Sequence, residues 1–129
     1  MTLLAKRQER SIVPRMYYIT TAIDYTNGPP HIGHAYEKVL ADVLARWHRM
    51  KGEEVYFLTG VDQHGQKVQQ TAEKLGITPQ EHVNNITGQF LALWDRLGIS
   101  NDGWASTTDP RHKACVQKIL TDLKDKGQL

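Results

Sequence analysis

The tetrapeptide Asn27-Gly28-Pro29-Pro30 constrains this chain more than any other feature. Glycine accepts positive φ, and the two prolines fix φ and remove N–H donors, so neither strand nor helix runs through it. Upstream, Met16 to Ile23 is aromatic and β-branched and predicts a strand buried on both faces. Downstream, Ala35, Val39, Ala41, Val43, Leu44, Trp47 and Met50 recur at helical spacing. They predict a helix of about five turns from Ile32 onward. The local order is therefore strand, tight turn, helix.

After that helix, Lys51-Gly52 supplies a basic last turn and a C-cap glycine, and Glu53 to Thr59 predicts a second strand. Strand, helix and strand in so short a span argue a right-handed parallel βαβ unit, hence an α/β fold. Ligands of such sheets sit at the carboxyl ends of the strands, here Asp24-Tyr25 and Gly60-Val61-Asp62. A further helix starts near Gly65 and carries Val68, Ala72 and Leu75. Thr78-Pro-Gln-Glu81 is a capping box with proline at the first helical position. It opens a helix whose stripe of Val83, Ile86, Phe90, Leu93, Trp94 and Leu97 is predicted core. Trp104 to Thr108 predicts a short third strand, and Asp109-Pro110 starts a last helix through Cys115, Ile119 and Leu123. Cys115, among Val116, Ile119 and Leu120, reads as a small buried hydrophobe. Arg111, Lys113, Lys118, Lys124 and Lys126 predict a solvated basic face.

A helix that begins behind a turn presents unpaired N–H groups and the positive end of its dipole, which favour a phosphate. His31 and His34 are one helical turn apart at that end, and each imidazole can donate to a phosphate oxygen. Gly33 between them has no Cβ, so a flat ring such as adenine can approach the backbone. Taken alone, two surface histidines and a turn glycine explain the tetrapeptide equally well. Asp62 likewise reads either as a cap and turn residue or as a carboxylate at a strand's carboxyl end. Composition does not decide: 40% hydrophobic and 23% charged residues are ordinary for one soluble globular domain. A net charge of +2 does not announce a nucleic-acid binder. The single cysteine excludes an intramolecular disulfide framework and fits a reducing compartment. No apolar run approaches membrane-spanning length. Residues 1–15 carry Lys6, Arg7, Arg10 and Arg15 against Glu9 and read as a basic tail ahead of the domain at 16–129.

His31-Ile-Gly-His34 resembles the signature of class I aminoacyl-tRNA synthetases. The whole stretch from Tyr17 to Tyr36, and Phe57-Leu-Thr-Gly-Val-Asp-Gln-His-Gly65, are similar to the bacterial methionyl-tRNA synthetase family, and the resemblance runs from about Tyr17 to Leu129. It implies a Rossmann-like parallel sheet with flanking helices, the first half of a HUP-type nucleotide-binding fold, ending near the start of the family's connective insertion. It also implies ATP-dependent activation of methionine to methionyl-adenylate and transfer to tRNA(Met) in the cytoplasm, with Mg²⁺ bridging the phosphates. By the same resemblance His31 and His34 are catalytic and bind ATP with Gly33, while Ala22, Ile23, Tyr25 and Asp62 bind methionine and His64 assists. Asp24 and Thr26 depart from the family's usual loop. The Lys-Met-Ser-Lys-Ser loop, the zinc-binding cysteines, the rest of the methionine pocket and the anticodon-binding domain have no counterpart up to Leu129. Zinc is therefore expected only elsewhere in a longer protein, and this piece alone is expected to be inactive and prone to association. A stand-alone ATP-binding module derived from a synthetase remains open. So does a leucine, isoleucine or valine enzyme, against which Asp24 to Pro30 and Gly60 to Gly65 speak. Oligomeric state is not legible.

Overall fold

A computed structural model describes residues 16–129; the basic tail read at 1–15 lies outside the described residues. Seven elements follow in chain order: β1 (Tyr17–Tyr25), α1 (Ile32–Met50), β2 (Val55–Asp62), α2 (Gln66–Leu75), α3 (Pro79–Leu97), β3 (Gly103–Ser106) and α4 (Pro110–Asp125). The strands form one parallel sheet in the order β1-β2-β3, as the α/β Rossmann-like reading requires. Both β1 and β2 run past their expected ends, to Tyr25 and Asp62, and these two residues are register partners. The carboxyl ends of the strands thus finish side by side.

Alternation along β2 decides where the core lies. Phe57, Thr59 and Val61 are buried and share one face of the strand. Phe57 meets Ala41 and Ala45 of α1, and Val61 meets Ile86, Phe90 and Trp94 of α3. Both helices therefore cover the same face, as successive right-handed crossovers in one direction demand. Burying a phenylalanine is worth roughly 1.5–3 kcal/mol, so Phe57 and Phe90, both without exposed area, anchor the two halves of this layer. The expected stripe of α3 is core except at Leu97, which is exposed. Thr78 and Glu81 cap α3 reciprocally, as their spacing predicts. On β2, a Cβ at Gly60 would run into the Ala105 carbonyl, so only glycine lets β3 approach there.

Three expectations are overturned. β1 is not buried on both faces: it is a sheet edge among the described residues, and only Asp24 of its residues is buried. The inward face of α1 is not its large apolar set. Lys38, Ala41, Asp42 and Ala45 point inward, while Val39, Val43, Leu44, Trp47 and Met50 are exposed. Small alanines let the helix sit close to Phe57, and the larger side chains are left outside. Cys115 is exposed rather than buried, because no residue of α4 is buried and the helix packs extensively on no other element.

Candidate functional site

The turn after β1 delivers α1 with His31 as its N-cap, in extended backbone at φ −133°. Serine, threonine or aspartate usually accepts the free N–H groups at such a position. Here the histidines do so for each other. Nδ1 of His31 accepts the Gly33 N–H and Nδ1 of His34 accepts the His31 N–H, each at 3.1 Å. The rings stack with centroids 3.7 Å apart. A nitrogen that accepts a backbone N–H carries no proton, so in the neutral rings the proton is on Nε2. The turn therefore holds two Nε2–H donors beside the positive end of α1. His34 also meets the edge of buried Phe90 at a centroid distance of 5.0 Å. Burial lowers its pKa below the ordinary 6.5, against the opposing charge of Asp24, which favours the neutral donor. At Gly33, a Cβ would press on the His31 ring at 3.0 Å, so glycine is what lets that ring fold over the first turn.

The end of β1 carries Ala22, Ile23 and Tyr25, and its register with β2 slips by one residue between Thr20 and Ile23. The slip brings Ala22 and Ile23 out together and turns Asp24 inward. Asp24 meets Lys38 of α1 at 2.9 Å, a pair with essentially no exposed side-chain area. Burial raises the Asp24 pKa above the ordinary carboxyl value, against the pull of the Lys38 hydrogen bond and charge. Glu37 completes the cluster, its second carboxylate oxygen 2.8 Å from the Lys38 ammonium. Tyr25 lies over Gly65, where a Cβ would collide with its hydroxyl.

Asp62 does not cap α2, whose N-cap is Gly65 without a side-chain bond. Instead its Oδ1 accepts the His64 N–H at 3.1 Å and the Thr107 hydroxyl at 3.3 Å. Thr26 donates through both its N–H and its hydroxyl to the Asp62 carbonyl, each at 3.0 Å, so the β1 turn and the Asp62 loop are tied together. Buried Gln63 anchors this loop: it donates to Thr87 of α3 at 2.9 Å and accepts from Ser106, the last residue of β3, and from Thr108 beyond it. His64 lies against the end of β3 and the start of α4, with Nε2 donating to the Thr107 carbonyl at 3.2 Å. Of the residues read from the sequence, His31, Gly33, His34, Ala22, Ile23, Tyr25 and Asp62 thus gather around adjacent strand ends and one helix N-terminus.

Sequence reasoning missed Lys38, Glu37, Gln63 and Thr107. For Lys38 a signal exists, since His34, Lys38, Ala41, Asp42 and Ala45 follow helical spacing as well as the large apolar residues do. Among the described residues no three His, Cys, Asp or Glu side chains stand together to hold a metal ion. No described helix is long and apolar enough to cross a membrane.

The family model described as tRNA synthetases class I (M) matches residues 17–129. A methionine-tRNA ligase of Streptomyces coelicolor is 48% identical over 116 residues, covering 89% of this chain and 22% of that protein. Methionine-tRNA ligase 1 of Bacillus cereus is 49% identical over 115 residues, covering 89% of this chain and 17% of that protein. The structure of Mycobacterium tuberculosis methionyl-tRNA synthetase in complex with methionyl-adenylate superposes with a TM-score of 0.85 at 37% identity, covering 88% of this chain and 22% of that one. The chain spans about a fifth of the length of the curated relatives it matches.

Proposed function

Because the chain belongs to the class I (M) family of tRNA synthetases, we propose that it forms the front of the ATP and amino-acid site of a methionine-tRNA ligase acting in the cytoplasm. The observation that carries this reading is the histidine pair, whose backbone bonds commit both Nδ1 atoms and leave both Nε2–H groups at the N-terminus of α1. In the reaction, a carboxylate oxygen of methionine attacks the α-phosphorus of ATP, the bond to pyrophosphate breaks, and methionyl-adenylate forms for transfer to tRNA(Met). Such displacement depends on positioning and on stabilising charge on the phosphate oxygens. His31 and His34 donate from Nε2 to those oxygens as charge builds, and the backbone around Gly33 receives the adenine. Mg²⁺ enters as the counter-ion of the ATP phosphates.

On the amino-acid side, Ala22, Ile23 and Tyr25 surround the methionine side chain. Asp62 receives the ammonium through Oδ2, since both of its observed bonds fall on Oδ1. His64, held at the Thr107 carbonyl, assists by fixing this loop rather than by touching the phosphates.

The test is ATP–pyrophosphate exchange by the native gene product with methionine, leucine, isoleucine and valine. Exchange with methionine alone is expected. Exchange led by another amino acid, or ATP binding without exchange, overturns the reading.

A further inference from the structure

The slip in β1 leaves the peptide groups of Ala22 outside the ladder with β2. Backbone groups that leave a ladder take another partner or water. Two consecutive residues of α1 take them instead: Glu37 Oε1 accepts the Ala22 N–H at 3.0 Å and the Lys38 ammonium donates to the Ala22 carbonyl at 3.1 Å. The helix thus substitutes for a strand partner at one peptide.

Lys38 is fully committed there. Its three ammonium protons face three oxygens, those of Ala22, Asp24 at 2.9 Å and Glu37 at 2.8 Å, and the Trp94 ring lies 5.5 Å from the nitrogen. Stability alone does not call for this arrangement, because buried ion pairs are commonly no better than apolar residues of similar volume. The Ala22 carbonyl would keep the Thr21 hydroxyl, 2.9 Å away, without Lys38. Asp24 has no such reserve: its Oδ2 is buried without a partner, and Lys38 is the cation beside its carboxylate. What the lysine adds is one tie among three groups, joining the Ala22 carbonyl and the Asp24 carboxylate of the bulge to Glu37 of α1.

We propose that Lys38 is a positioning residue for the amino-acid half of the reaction, clasping the β1 bulge so that Ala22, Ile23 and Tyr25 stand where the methionine side chain binds. This rests on the methionine-activating reading above. Lys38 touches neither phosphate nor methionine, so its loss weakens amino-acid binding and spares the ATP side.

The test is pyrophosphate exchange by the native gene product carrying Lys38→Met with Asp24→Asn, a pair that leaves no unpaired buried carboxylate. The expected result is a rise of at least about tenfold in KM for methionine, with KM for ATP within about twofold of the parent. Unchanged values, a parallel rise in both KM values, or a fall in kcat alone overturns the proposal. If the double variant does not fold, Asp24→Asn alone preserves shape and an acceptor for Lys38. It is expected to raise KM for methionine about threefold, and no change there overturns the clasp. If the parent does not exchange with methionine at all, the substrate reading fails. Hydrogen exchange then still reads the clasp: the Ala22 amide must exchange at least about tenfold faster in the variant, and equal rates overturn it.

Discussion

The His34 ring accepts the His31 N–H at 3.1 Å while lying 3.7 Å from the His31 ring, so one contact both caps α1 and aims a donor. His34→Ala removes both roles. In the native gene product it is expected to lower adenylate formation by about 3 kcal/mol, the scale of one preorganised donor, and to cost about 1 kcal/mol of stability through the lost cap. His34→Gln keeps an acceptor at the third helical position and should restore the stability without restoring the rate. Single-turnover adenylate formation beside a thermal melt separates the two effects, and an unchanged rate in His34→Ala removes the histidine from the chemistry.

Protonation of His34 is expected below pH 6.5, because burial lowers its pKa. The sign for stability follows: as pH falls below the unfolded value, the unfolded chain takes up a proton that the folded chain refuses, so stability declines with falling pH. Asp24 opposes the shift, so Asp24→Asn should move the His34 midpoint lower still. An NMR titration of the His34 ring measures both, and a midpoint above 6.5 contradicts the assignment.

Much of this site is legible because turn chemistry and strand ends are local. Asn27 to Pro30 stops β1, His31 starts α1, and Asp62 ends β2 without reference to the rest of the fold. What escapes is set by packing across elements. Lys38 goes unnoticed in the sequence because its partners are oxygens that the bulge in β1 supplies, and no periodicity announces a one-residue slip. Cys115 misleads for the same reason: its spacing with Ile119 and Leu123 is helical, yet no described element covers that face. The Thr78 capping box, wholly local, is read correctly.

Gly65 has φ +137°, and a Cβ there meets the Tyr25 hydroxyl. Gly65→Ala therefore carries backbone strain, of order 1–3 kcal/mol, plus a steric clash that Tyr25 must yield to. Tyr25→Phe removes the colliding atom but not the strain. A double-mutant cycle on stability should give a coupling of at least about 0.5 kcal/mol in the direction of rescue. Strict additivity would falsify the steric half of this account.

Ile32 and Met50, at the two ends of α1, are 84% and 81% exposed, and Tyr18 and Tyr56 stack on the open face of the sheet. Together with the edge of β1, which has no strand partner among the described residues, this apolar surface predicts that residues 1–129 alone associate. Sedimentation velocity should show mass rising with concentration, reduced by Val43→Lys on the exposed side of α1. A monodisperse monomer at all concentrations contradicts it.

Thr107, just after β3, holds the Asp62 carboxylate across the sheet at 3.3 Å, and the same hydroxyl accepts the Gln63 N–H at 2.9 Å. If Asp62 Oδ2 receives the methionine ammonium, the two substitutions must differ in kind. Asp62→Asn removes the charge itself and should cost about 1.5–3 kcal/mol of methionine affinity, the range for a hydrogen bond to a charged group. Thr107→Val keeps the charge and loses only its orientation, so a smaller loss of about 1 kcal/mol is expected. Neither should move KM for ATP, because His31 and His34, the proposed phosphate donors, sit at the start of α1 and share no side-chain bond with this loop. Methionine titrations of the native gene product and its two variants decide the order. A larger effect for Thr107→Val than for Asp62→Asn makes the loop's shape, rather than the Asp62 charge, the element that methionine recognises.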